Sequence, residues 1–332
     1  MSQKHTVKLW LAISLIFSAA LTLATILLGP SLVARFYPLL EDQGSAWYFW
    51  KLPEPTLWSR LFSWGGYALH QISVWILVGL AIKNKAVWGR KPFLNGYNLA
   101  VLLVNAFFLV LHLVQTQLFY DGIAQEVPIW MSQGSVIVML VLMLYLQIAE
   151  RGLFFGKRFR PPQRLLKFLR LFHGPYIAWA VVFTFWFHPM ESNFGLMSGF
   201  VYMFLLFIQI SFFGTRLHVN KSWLVLLESG VMIHALLISL YKNDGMWQMF
   251  LFGFMAMFVF THQFNWKKPA WLSAVLIAAY ALSALLVYAR LERFDKLFEL
   301  SFIPTALYGG TLLLLLIGWL IEKLAPDKAA RT

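Results

Sequence analysis

The chain has 332 residues, of which 60% are hydrophobic, 17% aromatic and only 12% charged, with no cysteine and a formal net charge of +13. A soluble domain carries about twice that share of charge, so a large water-facing surface is excluded. Disulfides, thiolate nucleophiles, iron–sulfur clusters and Cys-ligated zinc are excluded as well. The positive charge would point to nucleic acid in a soluble protein; in an apolar chain it is read instead as a determinant of membrane orientation, with no nucleic-acid partner.

Apolar runs of eighteen residues or more recur throughout, and each is long enough to cross a bilayer as a helix. The pattern predicts an all-α, polytopic membrane bundle of about ten transmembrane helices, forming one multispan domain over 1–332. The spans fall near 8–29, 62–82, 97–120, 130–149, 171–189, 196–215, 223–241, 246–264, 270–289 and 302–321. The first apolar run exceeds a signal-peptide core and reads as a retained helix.

With the N-terminus on the cytoplasmic side, 20 of the 27 Lys and Arg fall on inside segments and 7 outside. The outside loops collect Glu41, Asp42, Glu54, Asp121, Glu126, Glu191, Asp244, Glu292, Asp295 and Glu299. This bias sets both termini in the cytoplasm and suits a bacterial inner (plasma) membrane. The first outside loop, 30–61, is rich in Trp, Tyr and Pro, as an interfacial segment would be. The basic inside loop, 150–170, marks topology and offers a site for anionic lipid headgroups. Gly65-Gly66 and Gly309-Gly310 are candidates for close helix packing. The outside segment ARLERFDKLFEL reads as an amphipathic surface helix.

Ionisable groups at membrane depth carry the functional expectations. Counted from the outer ends of their spans, His70 and His112 each lie eight residues in and His234 seven, which predicts a shared depth of about 10–12 Å. Three imidazoles at one level would suit zinc, copper or iron. Span three adds a polar face of Asn105, His112, Gln115 and Thr116, leading up to Asp121 and Glu126. Together these predict a polar cavity opening outward, with Asp121, His188 and Glu191 as mouth residues that handle protons or substrate.

Haem b is the rival use of the histidines. His173 and His188 are fifteen residues apart, and His218 and His234 sixteen, so imidazoles recur near the two faces as axial ligands for transmembrane electron transfer would. The leading expectation is therefore a metal- or haem-dependent membrane enzyme, redox rather than hydrolytic, acting on a lipid, isoprenoid or quinone. A second class is a proton-coupled secondary transporter using Asn105, Gln209 and Glu228, placed at the midplane, Glu228 being the one carboxylate inside a span. A third is a structural subunit of a larger membrane complex. His5, in the N-terminal tail, and His262, closing span eight, complete the histidines.

Overall fold

A computed structural model describes residues 6–40, 51–242 and 245–324. His5, Glu41, Asp42, Asp244 and the middle of the 30–61 loop lie outside the described residues. The chain is all-α, with ten helices: α1 (Val7–Phe36), α2 (Leu57–Lys83), α3 (Gly96–Phe119), α4 (Ile129–Arg151), α5 (Gln163–Phe187), α6 (Phe194–Ser211), α7 (Lys221–Lys242), α8 (Trp247–Phe260), α9 (Ala270–Arg290) and α10 (Phe302–Leu324). Nine are long and apolar enough to cross a membrane, so this is a multi-pass integral membrane protein in contact with the lipid bilayer. The other, α8, has 14 residues, about 21 Å of helix. Its chain stops being α-helical at Thr261 and continues as a 3₁₀ turn, His262–Asn265.

The helices gather into two compact units. One holds α1, α2, α3, the start of α4, α5 from Gly174 onward, α6 and α7. The other holds α4 from Ser135, α5 as far as His173, and α8, α9 and α10.

In the first unit, α2 packs along α3, α6 along α7, and α1 against α3 and α6. Its loops sort by end, as alternate crossing requires. At one end Val7 N–H donates to Pro92 O, Lys91 N–H to Gly214 O and Arg216 N–H to Lys91 O, each at 3.0 Å. At the other, Leu52 N–H donates to Gln125 Oε1 at 3.2 Å and Gln125 Nε2 returns to Leu52 O at 3.0 Å. The first group joins segments that the charge bias assigns to the cytoplasm, and the second joins outer segments.

Two helix ends differ from the sequence reading, each for a local reason. α2 begins at Leu57 instead of residue 62, because Thr56 caps it by accepting from Ser59 N–H at 3.1 Å. α6 stops at Ser211 instead of 215. Asn98 of α3 donates from Nδ2 to Ser211 O at 2.8 Å and Phe213 O at 3.0 Å. Carbonyls freed at a buried helix end need such partners, since no water reaches them.

The second unit is centred on Tyr145, Ile148, Leu153 and Leu315, all fully buried. Thr261 ties α8 to its neighbours, donating to Leu153 O at 2.8 Å and lying 2.8 Å from the Tyr308 hydroxyl. Of each glycine pair, one member makes the close contact. A Cβ at Gly66 would meet the Trp186 ring at 2.2 Å, and one at Gly310 would meet Val141 at 2.8 Å. Gly65 and Gly309 face no such neighbour. The outer segment Phe294–Ser301 is a 3₁₀ helix with Phe294 and Phe298 exposed.

Candidate functional site

The earlier start of α2 moves His70 inward. It lies thirteen residues from the first residue of α2, about 20 Å, whereas His112 is seven from the last residue of α3, about 10 Å. His70 accordingly stacks at Phe108, one turn of α3 further in than His112. His70 is fully buried between the rings of Phe108 and Phe207, at centroid distances of 4.5 and 5.5 Å. The Trp186 indole Nε1 donates to His70 Nδ1 at 3.1 Å. An indole N–H can only donate, so the partners assign His70 as the neutral tautomer, with Nε2–H donating to Asn105 Oδ1 at 2.9 Å. Asn105 Nδ2 in turn donates to Ser211 Oγ at 3.0 Å.

His112 is also fully buried, but its partners are of the opposite kind. Nε2 lies 2.7 Å from the His188 carbonyl oxygen and Nδ1 lies 2.9 Å from Gln115 Oε1. Both are acceptors. The amide orientation is assigned by its other contacts: Gln115 Nε2 donates to Asp121 O at 3.0 Å and to Ser63 Oγ at 3.2 Å. Turning the amide would set two oxygens against each other at Asp121. All of these contacts are satisfied together only when His112 carries a proton on each nitrogen. The Trp186 and Phe185 rings lie 4.4 and 4.7 Å from the imidazole.

Just after α5, His188 donates from Nδ1 to Thr184 O at 2.9 Å and lies close enough to His112 and His234 to feel charge on either ring. His234 meets Ser198 Oγ at 2.9 Å, and its ring fills the space left by Gly199, where a Cβ would lie 2.8 Å from Cε1. Glu191, buried, accepts from the Tyr37 hydroxyl at 2.8 Å and from that of Tyr120. Burial and the nearby Glu191 carboxylate push the Tyr37 phenol up, so Tyr37 keeps its proton and remains a donor. Tyr120 itself sits at φ +43°, a strained conformation for a side-chain-bearing residue. It turns the chain so that Gly122 presses on the end of α5, where a Cβ would come within 2.5 Å of Phe187 O.

The outer end is closed by Arg60. Its Nη1 pairs with Asp121 Oδ1 at 2.7 Å and donates to Gly122 O at 3.0 Å, and its other side holds Glu126. Trp64 Nε1 also donates to Glu126, at 2.7 Å. Burial pushes the Asp121 carboxyl up while Arg60 pulls it back down. The more exposed Glu126 is held below the usual carboxylate range, chiefly by its hydrogen bond from Arg60. Asp121, His188 and Glu191 are therefore gathered at one end of the first unit, and the Gln115 amide links His112 directly to the Asp121 backbone.

The other sequence candidates are placed elsewhere. Gln209 lies near the inner end of α6, accepting from Trp223 Nε1 at 2.8 Å and donating to His218 O at 3.2 Å. His218 belongs to the same inner knot, with Nδ1 on Gln209 O at 3.1 Å. Glu228 is half-buried in α7. His173 falls in the second unit and bonds Arg170 O at 2.8 Å. Holding a metal at His70 and His112 would break one hydrogen bond on each ring. Among the described residues, no three His, Asp or Glu side chains group so as to hold an ion.

Sequence reasoning missed Arg60, Trp186, Tyr37 and Tyr120. Arg60 alone left a signal, a cation directly before an apolar run on the acid-rich side. No family model, no curated protein and no solved structure matches this chain.

Proposed function

We propose that this protein is a proton-coupled transporter of a bacterial inner membrane, with both termini cytoplasmic and His112 as the group that takes up the proton. The observation that carries the reading is the pair of acceptors facing His112. A second proton satisfies both of them, and its loss leaves a lone pair facing Gln115 Oε1. The amide must then turn, which breaks its bond to Asp121 O. Proton occupancy at His112 is thereby coupled to the Asp121–Arg60 closure at the outer end. Burial favours the neutral ring while the two acceptors favour the protonated one, an opposition that suits a switch. Asp121 and Glu191 pass the proton from the outer face, and Glu228 is the second carrier, on α7. Asn105 fixes His70 as a neutral, structural partner. The basic 150–170 loop sits on anionic lipid.

An acid jump on proteoliposomes adsorbed to a capacitive electrode tests the reading. The wild type should give a transient charge movement that His112→Gln loses, while the variant still folds and inserts. Equal transients in the two proteins, or none in either, would refute it.

A metal- or haem-dependent oxidoreductase stands second. Its support is that His188 lies close to His112 and to His234. Stoichiometric iron, copper or zinc, or a Soret band, in the purified protein would bring it forward; the hydrogen bonds already made by His70 and His112 weigh against it.

A further inference from the structure

A cavity of about 580 Å³ opens at the cytoplasmic end of the first unit, lined by Arg90, Arg216, Val219, Asn220, Lys221 and Ser222. Three of the six are cations, drawn from two loops and the first turn of α7. Among the described residues no carboxylate pairs with Arg90, Arg216 or Lys221. Like charges brought together without a counter-ion repel one another, so the arrangement lowers its energy by taking up an anion.

The walls are fixed. The loop after α2 and the loop after α6 are joined by a parallel bridge between Lys91 and Thr215, with Lys91 N–H on Gly214 O and Arg216 N–H on Lys91 O, both 3.0 Å. Gly214 holds φ +67°, and a Cβ there would come within 2.8 Å of Ala86 O. The closeness of the two loops, and with it the separation of Arg90 from Arg216, is thus set by backbone. Asn220 caps α7 by accepting from Trp223 N–H at 3.0 Å, so the helix N-terminus, a partial positive charge, adds to the same side.

We infer that this cavity binds the phosphate of an anionic phospholipid headgroup from the inner leaflet. Phosphate matches forked guanidinium donors, and a lysine adds a point charge. The position favours lipid over a free anion. The cavity lies where α2 ends at Lys83, α3 begins at Gly96 and α7 begins at Lys221, the level at which helices leave the bilayer. Val219 and Trp88 are exposed at that level and offer apolar surface to acyl chains. Nothing in this inference depends on the transport reading.

The test is lipid titration of the full-length protein in detergent, read by native mass spectrometry. The probes are phosphatidylglycerol, phosphatidylcholine and inorganic phosphate. The wild type should bind phosphatidylglycerol in preference to phosphatidylcholine. The triple variant Arg90→Gln, Arg216→Gln, Lys221→Gln should lose about tenfold or more of that affinity, each cation near an anionic surface being worth about 1 kcal/mol. Lys267→Gln with Lys323→Gln, inner-side lysines that line neither the cavity nor the 150–170 loop, should leave it unchanged. Equal phosphatidylglycerol binding by wild type and triple variant would overturn the site. Displacement of phosphatidylglycerol by inorganic phosphate, lost in the triple variant, would overturn the lipid assignment in favour of a soluble phosphate.

Discussion

Arg60→Ala should destabilise the protein by about 3–5 kcal/mol, because removing one partner of a buried ion pair strands the other. The stranded group is Asp121, whose side chain is fully buried beside a guanidinium that is itself 13% exposed. Glu126 is half exposed and regains water, so it contributes little. The pH dependence has a definite sign. Without Arg60, burial raises the Asp121 carboxyl above its unfolded value with no cation to oppose it. The penalty is then present in full above the folded-state value and is relieved as the carboxyl takes a proton on going to lower pH. Adding Asp121→Asn to Arg60→Ala should recover most of the loss at neutral pH. Unfolding in SDS–detergent mixtures across pH measures both effects. A loss that is the same at every pH, or no recovery in the double variant, would mean that the pair is not buried as described.

Trp186→Ala should cost about 3–5 kcal/mol by the same assay, from lost packing in a site too enclosed to collapse. The indole occupies the notch at Gly66 and is wholly buried. It also supplies the donor to His70 Nδ1 and a face to His112. Trp186→Phe separates these roles, because it keeps an aromatic face and most of the volume while removing the N–H. It should cost about 1–3 kcal/mol, the usual penalty for a buried acceptor left unpaired. Between helices in lipid, packing and hydrogen bonds must carry association, since apolar surface gains little by leaving hydrocarbon. A Trp186→Ala variant as stable as the wild type would place the ring outside the core of the first unit.

The membrane class and the spans were legible in the sequence because length and hydropathy set them locally. Alternation of the loops was legible because lysines and arginines record it. What hydropathy could not read was a charge accepted into a span. Arg60 reads as a residue that ends an apolar run, which would start α2 after it. Asp121 and Glu126, 61 and 66 positions along the chain, neutralise it, and the helix begins at Leu57 instead. That one displacement moved His70 about 7 Å inward, to Phe108 and so one turn of α3 below His112, with Trp186 touching both rings. The polar face of α3 was visible as a helical stripe, and Asn98, Asn105, His112, Gln115 and Thr116 are all buried on it. The partners of that stripe were not visible, since one tryptophan among fifteen carries no mark of the hydrogen bond it makes. The same holds for the two tyrosines on Glu191, which come from the ends of different helices.

The central claim is that His112 stores a proton, and the most direct measurement is nitrogen NMR of that ring. Histidine-labelled protein in lipid, assigned with His112→Gln, would be followed from mildly acid to mildly alkaline pH. The account predicts that both ring nitrogens of His112 carry protons at the acid end and that one is lost on titration. The Gln115 side-chain amide should shift with it, while His70 keeps a single proton on Nε2 throughout. A His112 ring with one bare nitrogen at every pH, and a Gln115 amide that never moves, would contradict the account.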